Sequence, residues 1–397
     1  MDNIVYSEAP GKVLWLGGYS VLERPNVGLV TGVDAHVRAR AVSSTNDEVR
    51  LTIPQFSVDI KGRIDLSSGS IILDESPQLR LVRTAMELAT KYAKGIGVNP
   101  TGFSLLTEND PAMMYNRMAG GRISKSGLGS SAAVIVATIS AVLTLFEVDL
   151  KENDALHKLA QLSHSVATGK VGSGFDVAAA VYGSSVYTRY SPAMVETFPK
   201  DYGADDVVAS VRKNWDFSIK KVELPPIFDT AFASFVNDSA ITVSLVNGVR
   251  KFKAANPDTY TEVISKMNAA NLSAVDALTR LSNGEKAQDS LSEFRQAFEE
   301  GRNQTKLLGK LSGIEIEPDS ATKLIKESEH HGAFVAKLPG AGGMDSIAAL
   351  SFSGQPAENL RAFWSSRSEL QLLNIRSTNE GYSVSFNKKE LPRKLYA

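Results

Sequence analysis

The chain is 397 residues long, 43% hydrophobic and 22% charged, with 43 Lys and Arg against 44 Asp and Glu for a formal net charge of −1. Its length favours two domains over one, and its balanced charge offers no basic excess to neutralise a nucleic-acid backbone. With no cysteine and only five histidines (His36, His157, His164, His330, His331), disulfides and thiolate zinc sites are excluded.

The first residues, "MDNIVYSEAPGK", contain no basic segment leading into an apolar stretch, so no signal peptide is expected. "NIVYSEAPGK", "VLWLGGYSVLE" and "NVGLVTGVDAHVRARAV" alternate short β-rich runs with turns, and "VRLTIPQFSVDIKGRIDL" continues the β pattern. "PQLRLVRTAMELATKYAKGIG" then sets Leu81, Val82, Ala85, Leu88 and Ala89 at helical spacing and closes at Gly95. "TGFSLLTEND" reads as a strand. The apolar run Ala132 to Phe146 is shorter than the roughly 20 residues of a membrane span and reads as a buried helix. "KENDALHKLAQLSHSVATG" is an amphipathic helix ending at Gly169, "FDVAAAVYG" a shorter helix and "SSVYTRY" a strand.

Between Ser191 and Pro226 the texture changes, with Pro192, Pro199, Pro225 and Pro226 among polar residues, which divides the chain into 1–226 and 227–397. Beyond the boundary, "FDTAFASFVND" reads as a strand and three long amphipathic stretches fill Ile241 to Glu329. "GAFVAKLPGAGGMDSIAALSF" is a strand, a glycine loop, then a strand or helix, and "LQLLNIRSTNEGYSVSF" a terminal strand pair. Both halves are mixed α+β layers.

Three glycine clusters raise the question of chemistry. In "SKSGLGSSAAVIV" (124–136), Gly127 and Gly129 permit close backbone approaches, and Ser130 or Ser131 can cap the helix that follows. Such a helix N-terminus suits an anion, and the serine hydroxyls suit Mg²⁺. The spacing is not that of a P-loop, since no Lys-Ser/Thr follows the second glycine. A glycine turn, a serine cap and a core helix would read the same way. In "APGKVLWLGGYSVLE" (9–23), Lys12 stands between a proline-glycine turn and a strand, where a solvated strand end is the plainer reading. "KLPGAGGMDSIAAL" (337–350) packs three glycines into four positions with Asp345 just beyond, and on its own reads equally as a tight turn.

Together and in this order, "PGKVLWLGGYSVL", "GLGSSAA" and "LPGAGGMDSIAAL" resemble the three motifs of the superfamily named for galactokinase, homoserine kinase, mevalonate kinase and phosphomevalonate kinase, over almost the whole chain. "GKVGSGFDVAAAVYGSSVYTRYSP" (169–192) resembles the segment of eukaryotic-type phosphomevalonate kinases that contains their catalytic aspartate. Mevalonate kinases are the nearest alternative. The resemblance implies an α+β, two-domain small-molecule kinase fold, with a ribosomal-protein-S5-like N-terminal domain and a ferredoxin-like C-terminal one. It implies ATP and Mg²⁺ in the cleft between them, and transfer to the small-molecule substrate 5-phosphomevalonate in a cytoplasmic enzyme of isoprenoid precursor synthesis. No nucleic-acid or membrane partner is implied.

By the same resemblance Lys12 bridges the transferring phosphoryl group and the acceptor phosphate, and Asp176 orients or deprotonates the acceptor. Asp176 also reads as an N-cap for "VAAAVYG". Lys125, Ser126, Gly127, Leu128, Gly129, Ser130 and Ser131 form the ATP phosphate loop, with Ser131 on Mg²⁺. Gly340, Ala341, Gly342, Gly343, Asp345 and Ser346 line the acceptor side, with Ser239 as a further acceptor ligand. Arg122, Lys125 and Lys170 either add positive charge for a phosphorylated acceptor or stand solvated at the surface. His157 and His164, seven apart on one helix, are expected at the surface or core edge, and His330 and His331 end a polar helix. A nucleotide-binding regulator without catalysis is the reading of a different class; retention of both Lys12 and Asp176 speaks against it.

Overall fold

The computed structural model describes residues 3–74, 76–113, 116–117, 123–124, 127–150, 153–236, 242–285 and 287–386. Two long strands, β1 (Ile4–Leu16) and β2 (Val27–Ser43), form its antiparallel spine. Val5, Ser7 and Ala9 point inward and Tyr6 and Glu8 outward, the alternation of a sheet with one covered face. From Val13 onward β1 is buried throughout. The expected proline-glycine turn before Lys12 is absent: Pro10 and Gly11 lie inside β1, at a register shift opposite β2. The bulge absorbs the irregularity that reads as a turn in sequence, and Lys12 therefore sits within a strand.

β3 (Glu48–Ile53), β4 (Val58–Asp65) and β5 (Ser70–Ile72) extend the sheet, and α1 (Arg80–Gly95) crosses to β6 (Phe103–Asn109). A short ribbon, β7 (Asn116–Arg117) with β8 (Ile123–Ser124), precedes the first glycine loop. Then come α2 (Ser130–Leu145), α3 (Asn153–Thr168), α4 (Phe175–Tyr182), β9 (Ser185–Thr188), α5 (Ala193–Glu196), α6 (Ala204–Arg212) and β10 (Ser218–Lys221). The strand order is β10-β9-β2-β6-β3-β4-β5, with β1 on the other side of β2. Thirteen of the 16 residues of α2 are buried, as befits a helix apolar all round. It packs on β1 and β2 with α1, α3 and α4 about it.

The second domain opens with β11 (Phe228–Phe235) and continues through α7 (Thr242–Ala255), α8 (Pro257–Ser282), α9 (Ala287–Ser312) and α10 (Asp319–His330). Four helices stand where three amphipathic stretches were expected, because Pro257 opens α8 and Pro318 caps α10, interrupting the periodicity. After β12 (Ala333–Lys337) the glycine loop leads into a strand, β13 (Ser346–Phe352), followed by α11 (Gln355–Ser365) and β14 (Leu370–Leu373). The order β12-β13-β11-β14, all antiparallel, is that of a ferredoxin-like βαββαβ unit.

The last strands are not the expected terminal pair. β14 completes the second sheet, whereas β15 (Ser377–Thr378) pairs with β2 and β16 (Ser383–Phe386) with β1. Residues 377–386 thus lie in the first sheet, beyond the 226/227 division. Among the described residues, no helix is long and apolar enough to cross a membrane.

A buried lysine joins the two sheets. Lys337 ends β12, and its Nζ donates a hydrogen bond to the Trp15 carbonyl of β1 at 2.9 Å. Burial pushes its ammonium down to about 8, with Glu317 opposing the shift and Arg302 adding to it. Glu317 is itself held by Arg302 through two bonds of 2.8 and 2.9 Å. The folded protein holds the Lys337 proton less tightly than the unfolded chain does, so unfolding takes up a proton between about pH 8 and the ordinary lysine value. Stability therefore rises with pH across that window. Relative to Lys337→Met, which lacks the titration, the wild type should gain about 2 kcal/mol between pH 7.5 and 9.5 in urea unfolding. Parallel curves for the two proteins would refute this account.

Candidate active site

The chain leaves the β7/β8 ribbon through Gly127 and Gly129, both at positive φ (69° and 80°), and Gly129 caps α2. No side chain caps the first turn. Ser130 and Ser131 are instead the first helical residues, in contrast to the expected serine cap, and the orphan N–H groups of α2 are left for an anion. Both serines line a cleft of about 340 Å³ whose walls come from β1, α2 and α4 of the first domain and β11, β13 and β14 of the second.

Lys12 reaches this cleft from β1 and is tied twice to the glycine loop. Its backbone N–H donates to Leu128 O at 2.8 Å, and its Nζ donates to Gly127 O at 2.6 Å. The half-buried side chain passes along Gly129, with Nζ 5.5 Å from the centre of the Phe175 ring. Burial lowers the pKa of Lys12 from the ordinary lysine value, and the Asp176 and Asp345 carboxylates counter that effect. One desolvated cation thus stands in the field of two carboxylates at the mouth of an anion-ready helix.

Asp176 lies in the first turn of α4, whose cap is Gly174, so the expected capping role does not apply. Its Oδ1 accepts from the N–H of Val177 at 2.9 Å, and the residue lines the cleft. On the opposite wall are Gly340, Ala341, Gly342, Asp345 and Ser346. The third glycine loop is fixed from behind: Tyr19 OH donates to Ala341 O and the Gly343 N–H to Ile316 O, each at 2.8 Å. Gly343 is buried and, like the exposed Lys170, is not among the residues lining the cleft. Arg122, Lys125, Ser126 and Ser239 lie outside the described residues.

The cleft also takes residues to which the sequence assigned no role there, and His164, expected only at the surface or core edge, is one of them. Tyr19 and Leu22 follow β1, His164 comes from α3, Phe175 from α4, Phe232 from β11 and Val246 from α7. Phe175 neighbours Asp176 on α4, whereas His164, Phe232 and Val246 are each the single contribution of their element. His157 departs from the expected surface or core-edge position: it is fully buried, 4.5 Å from the Phe217 ring and 5.3 Å from the Tyr182 ring, and burial lowers its pKa to about 3. An apolar pair at helical spacing on either side of it would have signalled burial, but the aromatic partners come from elsewhere in the chain. His331 stacks on Phe363 at 4.0 Å, its Nδ1 2.8 Å from Glu327 O.

The donors suit a nucleotide and its divalent ion. A side-chain-free cap, orphan N–H groups and Lys12 fit a polyphosphate, while the Ser131 hydroxyl and the Asp176 carboxylate are hard oxygen ligands on the same cleft. Among the described residues there is no group of three His, Cys, Asp or Glu to cage a metal. This donor set matches Mg²⁺ that keeps waters and phosphate oxygens as most of its ligands.

Two family models match the chain, GHMP kinases N terminal domain over residues 80–184 and GHMP kinases C terminal over residues 281–369. The chain is 28% identical to a peroxisomal phosphomevalonate kinase of Arabidopsis thaliana, over 93% of this chain and 94% of that protein. It is also 28% identical to a phosphomevalonate kinase of Saccharolobus solfataricus, over 96% and 98% of the two chains. Its fold superposes on Streptococcus pneumoniae phosphomevalonate kinase in complex with phosphomevalonate and AMPPNP with a TM-score of 0.74, at 22% identity, covering 94% of this chain and 99% of that one. The glycine loop and cap at the start of α2 fall within the first family model, and the third glycine loop falls within the second. The chain thus carries the N-terminal and the C-terminal domain of the GHMP kinases, in that order.

Proposed function

We propose that this protein is a phosphomevalonate kinase, transferring the γ-phosphoryl group of ATP to the phosphate of 5-phosphomevalonate to give 5-diphosphomevalonate and ADP in isoprenoid precursor synthesis. The observation that carries this reading is Lys12 hydrogen-bonded to the phosphate loop while Asp176 and Asp345 act on its charge. Two polyanions can meet only where charge is offset, and here Lys12 and the free N–H groups of the α2 N-terminus supply the positive side. The names of the Arabidopsis and Saccharolobus relatives support the acceptor.

In the reaction an oxygen of the acceptor phosphate attacks the γ-phosphorus, and the bond from that phosphorus to the β,γ-bridging oxygen breaks as ADP departs. Bound Mg²⁺ would supply charge neutralisation across the β- and γ-phosphates. The α2 N–H groups receive the nucleotide phosphates, and the Lys12 ammonium follows the phosphoryl group from donor to acceptor. A phosphate monoester has a second pKa of about 6, so near pH 7 the attacking oxygen already carries its charge. Asp176 therefore orients the acceptor or helps hold the metal more than it removes a proton. We place the purine in the adjoining groove formed by Ile53, Gln55, Phe56 and Gln78, which shares Ser130 and Ser131 with the cleft. The substrate is a small molecule, with no nucleic-acid partner, and we place the protein in the cytoplasm.

The test is ADP release with ATP and Mg²⁺ against 5-phosphomevalonate, mevalonate, homoserine and galactose. Preference for 5-phosphomevalonate by more than about 100-fold in kcat/KM is expected, since a site built to pair a charged group discriminates strongly against an acceptor lacking it. Turnover confined to mevalonate would replace the acceptor and keep the fold. ATP binding without turnover of any acceptor would make the protein a nucleotide-binding regulator.

A further inference from the structure

Behind the Asp176 loop lies a buried polar network that the reaction as described does not use. Gln161 of α3 is 2% exposed, and its Nε2 donates to Gly174 O at 2.8 Å and lies 3.4 Å from His157 Nε2. Its Oε1 accepts from Tyr190 OH at 3.2 Å. Tyr187 of β9 is fully buried, and its hydroxyl donates to Ser173 O at 3.0 Å. Two consecutive carbonyls just before α4 are thus held by side chains from two different elements. The same loop lines the cleft through Gly172 and Ser173, and Asp176 follows two residues after Gly174.

The fit behind the loop is close. Gly174 has a φ of 81°, and a Cβ there would lie 2.7 Å from both Gln161 Nε2 and Tyr187 OH. Each amide atom of Gln161 has its own partner: Tyr190 gives a proton to the oxygen, while Gly174 O and the neutral His157 ring face the nitrogen. The tyrosines keep their protons, since burial above all, with the charge of Asp176 contributing, raises the pKa of each. A shift of the loop would leave buried donors and acceptors unpaired at once.

We infer that Gln161 and Tyr187 are positioning residues that fix Asp176 for phosphoryl transfer by clamping the carbonyls of Gly174 and Ser173. The inference rests on the role given to Asp176 above. A misplacement of about 1 Å at a reacting group lowers rates by about 100-fold, and a functional side chain must be held to within about 0.5 Å by its supporting shell. The clamp acts on the backbone from which Asp176 projects and leaves the α2 phosphate loop untouched.

The experiment is a double-mutant cycle on the full chain, measuring kcat, both KM values and the melting temperature for Gln161→Met and Tyr187→Phe, each alone and combined with Asp176→Ala. Each single substitution should lower kcat about 10- to 100-fold with KM for ATP changed less than about 3-fold. In the Asp176→Ala background the same substitutions should lower kcat less than about 3-fold, because the group they position is gone. Equal losses in both backgrounds would overturn the inference and assign the network to stability alone. Tyr187→Phe removes one oxygen and keeps the ring, so it decides the matter if Gln161→Met does not fold. Full activity of Asp176→Ala by itself would instead overturn the role of Asp176, an outcome the single variant reveals separately.

Discussion

Lys12→Met is expected to lower kcat by about 100- to 1,000-fold while leaving the fold intact. Among the described residues that line the cleft, Lys12 is the only lysine or arginine. Removing one preorganised donor at a developing charge costs about 2.7–4 kcal/mol of transition-state stabilisation, which sets the expected range. Methionine is one atom shorter but keeps an unbranched apolar stem to lie along Gly129. Stability should hold for a further reason: burial already works against the charged form of Lys12, so the folded state loses little when the ammonium goes. Steady-state kinetics together with a thermal melt make the check. An unchanged kcat would remove Lys12 from the chemistry, and a melting temperature lowered by more than about 5 °C would attribute the lost activity to unfolding.

Gly342→Ala should be the most damaging single-methyl change in the cleft, and Gly340→Ala among the mildest. Both positions have left-handed backbone, with φ of 76° and 68°. That conformation alone costs an alanine about 1–2 kcal/mol. At Gly342 a Cβ would also lie 2.3 Å from the Ile316 carbonyl oxygen, a backbone atom that cannot swing aside. The same oxygen accepts the Gly343 N–H, so relieving the clash breaks the bond that anchors the loop. A loss of about 3 kcal/mol or more in urea unfolding is expected, with activity falling at least 10-fold. At Gly340 nothing lies within 4 Å of the added carbon. Its variant should lose only the conformational cost, about 1 kcal/mol, and show its effect in KM for the acceptor. Equal destabilisation by both would mean that φ alone decides and that the Ile316 contact yields.

The three glycine clusters were legible only together and in order, since each alone also reads as a turn or a capped helix, and α2 because the small and aliphatic run Ala132 to Leu145 follows one of them without a break. The structure brings Gly127, Gly129, Lys12, Asp176 and Gly340 to one cleft from segments over 300 residues apart in sequence. Sequence could not show how Lys12 gets there. "PG" signals a turn locally, yet Pro10 and Gly11 are carried through β1 by a bulge whose cause is the pairing with β2. Tyr19 shows in the sequence only as part of the first motif and His164 only as a surface or core-edge residue, while Phe232 and Val246 enter the cleft singly and no spacing joins them. Pro257 at the start of α8 and Pro318 before α10 mark breaks that leave four helices where three amphipathic stretches were expected. The clamp on Asp176 was hidden furthest, because Gln161 and Tyr187 look like ordinary core-facing positions until their side chains are seen on neighbouring carbonyls.

The return of β15 and β16 to the first sheet bears on how the protein is made. Val5 of β1 pairs with Phe386, and Ser7 with Val384, so a ribosome must deliver residues 383–386 before β1 acquires its outer neighbour. Synthesis at about 5–20 residues per second leaves that edge of the nascent first domain uncovered for tens of seconds. An uncovered strand edge invites pairing with other chains. The nascent protein should therefore depend on chaperones during translation more than the finished one does, and a chain stalled before residue 377 should aggregate even though every residue of its catalytic cleft has been made.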